Sequence, residues 1–94
     1  MVSQVHAAHI LVRSEEKAKE LFERIEKKGA SFANMAQEFS ECPSKRRGGD
    51  LGWFGRGQMV KEFENAAFNG EKGKTIGPVK TQFGWHLIKV LEKK

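Results

Sequence analysis

RRGGDLGWFGRGQM, residues 46–59, holds five glycines beside the bulky side chains of leucine, tryptophan, phenylalanine and methionine. Glycine at this density interrupts regular structure, so we predict a loop from residue 40 to residue 57 with one short strand over residues 50–54. Glycine-rich loops often cradle phosphate, which makes a nucleotide site the first hypothesis. A dinucleotide-binding loop must lead from a strand into a helix, and this stretch does not, so the phosphate hypothesis is not favoured.

A second glycine-containing stretch, GEKGKT at residues 70–75, resembles the end of a phosphate-binding P-loop. The spacing of that loop requires glycine at position 68, where Phe68 stands. The segment before it, residues 60–68, has the apolar spacing of a helix, whereas a P-loop must follow a strand. We therefore interpret residues 70–75 as a surface turn.

The segments on either side of the loop show strand and helix patterns. Residues 5–12, VHAAHILV, form a short apolar run rich in β-branched residues and predict a buried strand. Ser14 and Ser31 each stand where a helix N-cap is expected, before apolar residues at helical spacing. Residues 83–91 predict the last strand. The order strand, helix, helix, loop with a short strand, helix, strand, strand predicts an α+β domain.

Length and composition predict one soluble domain, residues 1–94. The hydrophobic content of 38% and the charged content of 31% are typical of a globular chain. The net charge of +5 comes from cations spread among glutamates, which indicates a solvated surface and no required nucleic acid. Cys42 is the only cysteine, so a reducing compartment, the cytoplasm, is expected. Residues 1–12 predict neither a signal peptide nor a membrane span.

Three residues, His9, Cys42 and His86, carry the side chains best suited to chemistry. They can ligate zinc, but they lie in distant segments, and no Cys-x-x-Cys or His-x-x-x-His pair accompanies them. They can also form a cysteine–histidine nucleophile pair, with which a lone cysteine is compatible. The ordinary alternatives are a small buried cysteine and hydrogen-bonded strand histidines. Without further context these ordinary alternatives are favoured.

Three segments taken together resemble the parvulin family of peptidyl-prolyl cis/trans isomerases, and closely resemble its small stand-alone members. They are HAAHILV at residues 6–12, FSECPSKRRGGDLGWFGRGQMVKEFENAAF at 39–68 and GPVKTQFGWHLIKV at 77–90. The resemblance implies a parvulin/FKBP-like α+β fold, with a small, mostly antiparallel four-stranded sheet surrounded by helices. It also implies a monomer without cofactor or metal that accelerates rotation of X–Pro bonds in unfolded or flexible, proline-containing polypeptides.

The same resemblance implies roles for ten residues. The paired strand histidines of the family correspond to His9 and His86, and its active-site cysteine or aspartate corresponds to Cys42. Its proline pocket falls within residues 51–63, so the glycines turn the loop and carry apolar side chains to one cup. The complete set is catalytic His9, Cys42, Thr81 and His86 with substrate-binding Leu51, Phe54, Gln58, Met59, Phe63 and Phe83.

Two further comparisons with the family set the expected mechanism and specificity. Some members carry aspartate at the position of Cys42, so a non-covalent role is expected for its thiol. Phosphate-directed parvulins have a long basic loop after the first strand, whereas the connection here is VRSEEK, residues 12–17. The cations of residues 45–47 offer a competing phosphate site, but exposed charges give only modest, salt-screened attraction. The rival interpretation is a non-catalytic peptide-binding or chaperone module with the same fold.

Overall fold

A computed structural model describes residues 2–94, and its centre is a four-stranded antiparallel sheet. The strands are β1 (Gln4–Val12), β2 (Asp50–Gly55), β3 (Thr75–Thr81) and β4 (Gly84–Lys93). They lie in the order β2-β1-β4-β3, so β1 and β4 are central and β2 and β3 are the edges. The helices are α1 (Glu15–Glu26), α2 (Phe32–Phe39) and α3 (Lys61–Asn69), with a 3-10 helix over Pro43–Arg47. The predicted α+β fold and element order are confirmed.

Both serines expected to cap helices do so. The Ser14 hydroxyl accepts a hydrogen bond from the backbone N–H of Lys17 at 2.9 Å, and the Ser31 hydroxyl accepts one from that of Asn34 at 3.2 Å. Each bond satisfies a backbone N–H that has no partner inside its helix. The longest helix, α1, has 12 residues. No helix within residues 2–94 is long and apolar enough to cross a membrane.

The 3-10 helix after α2 is an element that the sequence analysis missed. Pro43 occupies its first turn, where the missing backbone N–H costs no hydrogen bond. Gly48 ends it with a φ of 68°, in the left-handed region that glycine adopts without strain. A helix of 5 residues is too short to show an apolar period. The sequence therefore marked it only by Pro43 at its start and Gly48 at its end.

Gly49 brings the glycine-rich loop against the sheet. Its carbonyl oxygen accepts a hydrogen bond from the backbone N–H of His9 at 2.9 Å, and its φ is 87°. A Cβ at this position would collide with the carbonyl oxygen of His9. The close approach of the loop to β1 therefore requires glycine, which accounts for this residue without any phosphate.

Both faces of the central strands are covered, because their alternating side chains enter two separate clusters. One face packs against α3 through residues such as Phe63 and Ile88. The other packs against α1 and α2 through residues such as Ile10. His9 and His86 lie on the α3 face, where the Phe63 ring contacts both imidazoles. The two buried histidines of the central strands therefore lie on the α3 side of the sheet.

Candidate active site

The α3 face of the sheet opens into a cavity of about 490 Å³. Its floor is formed by β1 and β4, and its walls come from the 3-10 helix, β2, the β2–α3 loop, α3 and the β3–β4 turn. Eight of the ten residues expected at the site line it. The lining residues are His9, Leu11, Glu41, Cys42, Pro43, Leu51, Gln58, Met59, Val60, Phe63, Phe83 and His86.

Two histidines meet on the floor of the cavity. The Nδ1 atoms of His9 and His86 lie 3.0 Å apart, and the two rings stack with their centroids 5.2 Å apart. On its other side, His86 Nε2 lies 2.7 Å from the Thr81 hydroxyl. That hydroxyl also accepts a hydrogen bond from the backbone N–H of Phe83 at 3.1 Å. The β3–β4 turn and the histidine pair are thus joined in one buried hydrogen-bond network.

The histidine pair is uncharged at neutral pH. Burial, and to a lesser extent the nearby His86, lowers the pKa of His9 from 6.5 to about 4. Burial also lowers the pKa of His86. A hydrogen bond between two neutral rings requires a proton on only one of the facing Nδ1 atoms. The Thr81 hydroxyl can donate to a bare Nε2 or accept from a protonated one, so it serves either arrangement.

The apolar wall of the cavity is built at the start of α3. Met59 and Phe63 are four residues apart, so they face the same side of the chain where the helix begins. The Phe63 ring is only 3% exposed and stands edge-on to both imidazoles, with centroid distances of 5.5 Å to His9 and 5.4 Å to His86. Phe63 therefore joins the apolar wall to the polar floor, while Met59 remains half-buried at the cavity surface.

Side-chain hydrogen bonds hold the β2 end of the loop that carries Met59. The Glu64 carboxylate accepts hydrogen bonds from the Gly57 backbone N–H at 2.7 Å and from the Arg56 guanidinium at 3.1 Å. The hydrogen bond from Gly57 holds the pKa of Glu64 below its ordinary value, and the weaker effect of Arg56 acts in the same direction. The Gln58 side-chain oxygen accepts from the backbone N–H of Gly55 at 2.7 Å. The amide NH₂ of Gln58 is left to donate elsewhere in the cavity.

Cys42 lines the cavity immediately before the 3-10 helix and is partly buried. Its backbone N–H donates to the Ser40 hydroxyl at 3.3 Å, and the same hydroxyl accepts from the Leu11 backbone at 3.0 Å. These bonds fix the segment beside β1. The hydrogen bonds of the histidines described above involve the partner ring and Thr81, not the thiol. Within residues 2–94 there is also no cluster of three His, Cys, Asp or Glu residues fit to bind a metal.

Two of the expected site residues do not line the cavity. Phe54 was expected to contact substrate, but it is only 2% exposed and packs in the core against Phe63 and Phe68, at centroid distances of 5.9 and 6.1 Å. It alternates along β2 with the exposed Trp53, so it points into the core. Thr81 is buried and contacts His86. Phe54 and Thr81 therefore support residues that face the cavity.

Leu11, Glu41, Pro43 and Val60 line the cavity and were missed by the sequence analysis. A signal existed for Leu11, because it stands two residues after His9 on the same strand and so projects from the same face. A signal also existed for Val60, which neighbours Met59. Glu41 and Pro43 adjoin Cys42 in a segment that was interpreted only as loop.

Comparison with known proteins agrees with this geometry. The model of the PPIC-type PPIase domain matches residues 1–94. The foldase protein PrsA of Geobacillus kaustophilus is 50% identical over 91 residues, which cover 96% of this chain and 32% of that protein. The chain thus spans about a third of the length of this curated relative.

Solved structures show the same fold. The peptidylprolyl isomerase PrsA from Bacillus anthracis superimposes with a TM-score of 0.95 at 41% identity, over 99% of this chain and 43% of that chain. Pin from the psychrophilic archaeon Cenarcheaum symbiosum superimposes with a TM-score of 0.85 at 44% identity, over 98% of this chain and 95% of that one. The chain belongs to the PPIC-type PPIase family, the parvulin class of peptidyl-prolyl cis/trans isomerases.

Proposed function

We propose that this protein accelerates cis/trans rotation of exposed X–Pro bonds in unfolded or flexible polypeptides. The observation that carries the proposal is the meeting, in one cavity, of an apolar wall with an uncharged histidine pair. Such a wall can hold a proline ring by burial, at roughly 25 cal/mol per Å² of apolar surface removed from water. The position of the cavity at the protein surface sets the substrate class, because such a cavity admits only a proline that is itself exposed.

The reaction requires no bond to be broken. Amide resonance sets a rotation barrier of about 18–20 kcal/mol, and uncatalysed X–Pro exchange takes tens to hundreds of seconds. Withdrawal of the amide from water into the cavity disfavours its charge-separated planar form. The twisted amide is then bound more tightly than either planar isomer, and this difference in binding is what lowers the barrier. In this mechanism Leu51, Met59 and Phe63 hold the ring while Gln58 contacts the substrate backbone.

The histidines and Cys42 form the polar side of the site in this mechanism. His9 and His86 fix the floor through their shared hydrogen bond, and Thr81 holds His86 in place. Cys42 sits at the cavity surface and adjusts its polarity without forming a bond to the substrate. Among residues 2–94, His9 Nδ1 faces His86 Nδ1, His86 Nε2 faces the Thr81 hydroxyl, and the buried His9 Nε2 has no hydrogen-bond partner. Neither imidazole is thus hydrogen-bonded to the thiol, which supports a thiol that is not paired with a general base.

We further propose that the enzyme does not depend on substrate phosphorylation. The connection between β1 and α1 contains a single cation, Arg13, which pairs with Glu41 at 2.8 Å. Glu41 itself lines the cavity, where its carboxylate would repel a phosphate. Matched Ser–Pro and phospho-Ser–Pro peptides should therefore give similar kcat/KM at physiological salt. A preference of about a hundredfold for the phosphopeptide, equal to about 2.7 kcal/mol, would reveal a phosphate clamp in residues 45–47.

The activity itself is tested by exchange NMR on an X–Pro peptide with substoichiometric protein. Accelerated cis/trans exchange is the expected result. A non-catalytic chaperone module would bind the same peptide, so binding alone does not separate the two functions. Peptide binding without faster exchange would therefore refute the enzyme and favour the module.

A further inference from the structure

A second concave surface adjoins the proline cavity. It has a volume of about 350 Å³ and is lined by His6, Arg47, Asp50, Leu51, Gly52 and Trp53. Leu51 lines both the groove and the proline cavity. We call this surface the Trp53 groove. A polypeptide with its proline in the cavity can therefore continue into the groove past Leu51.

The main feature of the groove is an exposed aromatic side chain. Trp53 lies on the edge strand β2 and is 41% exposed. Its ring lies against that of His6, with centroids 5.4 Å apart and planes at 34°. An indole ring exposed to water is unfavourable, because burying its large apolar surface against another group lowers the free energy. The Lys94 ammonium also lies over the Trp53 ring, 4.5 Å from its centroid. Trp53 thus presents a partly exposed aromatic ring beside the substrate cavity.

The groove is also rigid. The Nε2 atom of His6 hydrogen-bonds to an Asp50 carboxylate oxygen at 2.8 Å, and the same oxygen accepts from the Gly52 backbone N–H at 2.7 Å. The imidazole beneath Trp53 is therefore held in one orientation. A surface that is already ordered loses little conformational entropy when a ligand binds.

A guanidinium group also lines the groove. Arg47 ends the 3-10 helix, is exposed, and takes part in none of the ion pairs found among residues 2–94. Guanidinium binds the faces of aromatic rings, and indole packs against their faces or edges. Indole, imidazole and guanidinium around one small groove make a chemical environment suited to an aromatic side chain.

We propose that the Trp53 groove binds an aromatic side chain of the same substrate polypeptide. This aromatic residue belongs to the part of the substrate, either before or after the proline, that runs past Leu51. The proposal rests on the proposed function, because it takes the proline cavity as the first point of attachment. The continuity of the two surfaces through Leu51 favours one chain occupying both. The enzyme would then select prolines that have an aromatic residue a few positions away on one side.

The experiment uses a series of peptides with one proline and otherwise mainly alanine, in which a single Phe is moved from two to five positions before or after the proline. We expect one side of the series to show a KM roughly three- to tenfold below that of the all-Ala peptide. The ratio of the KM of the Ala peptide to the KM of the best Phe peptide should fall toward one in Trp53→Ala and should decrease in Arg47→Gln. Lys45→Gln is the matched control, since it removes an exposed cation of the same 3-10 helix that does not line the groove.

A second measurement does not depend on turnover. Titration with the best Phe peptide should shift the indole N–H resonance of Trp53, identified by its loss in Trp53→Phe, more than titration with the Ala peptide. The groove proposal is overturned if no Phe position lowers KM, if Leu at the best position does as well as Phe, or if the advantage survives in folded Trp53→Ala. Self-association through Trp53 would also overturn it. Absence of exchange with every peptide would instead refute the proposed function.

Discussion

Phe63 belongs to the core and to the substrate cavity at once, and this double position can be tested. Phe68 is similarly buried, at 5% exposed against 3% for Phe63, but it does not line the cavity. Phe63→Leu and Phe68→Leu should each cost about 1 kcal/mol of stability. Only Phe63→Leu should lower kcat/KM, by roughly tenfold, because the cavity loses its aromatic wall. Equal activity loss in the two variants, assayed by exchange NMR where both are folded, would mean that packing alone is responsible.

Cys42 provides a second residue-scale prediction. If the thiol only adjusts polarity, Cys42→Asp should retain appreciable activity, and Cys42→Ser should lose less than Met59→Ala. The measurement is kcat/KM on one X–Pro peptide, with folding checked by circular dichroism. Complete inactivity of folded Cys42→Asp, together with a substrate adduct on the wild-type thiol seen by mass spectrometry, would establish a covalent mechanism.

At the scale of elements, the β2–α3 loop depends on a residue that has no place in the cavity. Glu64 holds the Gly57 backbone and Arg56, and this loop carries Met59. Glu64→Ala should release the loop and raise KM by roughly tenfold with a smaller change in kcat, since a misplaced wall weakens substrate positioning. Glu64→Gln retains an acceptor for Gly57 and should recover most of the loss.

Glu62 supplies the control for this prediction. It is an exposed acid on the same helix, and its side chain makes none of the ion pairs described within residues 2–94. Glu62→Ala should leave KM unchanged. If Glu62→Ala and Glu64→Ala raise KM equally, the effect comes from helix charge and not from the loop.

For the whole molecule, the buried histidine pair predicts how stability depends on pH. The pKa of His9 is about 4 in the folded protein and 6.5 ordinarily, so between these values the unfolded chain binds a proton that the folded chain excludes. Stability should be full above pH 6.5 and fall as the pH decreases toward 4. Urea unfolding between pH 7 and about 5, above the ordinary carboxyl range, measures this fall. The non-titrating His9→Asn should make this fall less steep, and the remaining fall should come in part from His86, whose pKa is also lowered by burial. An equally steep fall in His9→Asn would mean that His9 does not contribute.

The sequence predicted the four strands and the three α-helices of residues 2–94 because each carried its own local signal, whereas the short 3-10 helix was missed. Ser14 and Ser31 marked helix starts, and apolar periodicity marked the strands and helices. The site could not be assembled in this way, since it joins His9 to His86 across 77 positions of sequence. Only resemblance to a family brought those residues together, and it placed Phe54 in the cavity although the strand period turns it into the core. The expected cytoplasmic location rested on one free cysteine and stays a prediction.

The contact between Gly49 and β1 has a consequence for redesign of this protein. The side chains that would decide which ring is accepted, such as Leu51, Met59 and Phe83, stand on the cavity surface and have room to be exchanged. Gly49 has no such room, because any larger residue meets the carbonyl oxygen of His9. A library aimed at new substrates should therefore diversify the cavity surface and keep Gly49, because this glycine holds the loop against β1 without itself lining the cavity.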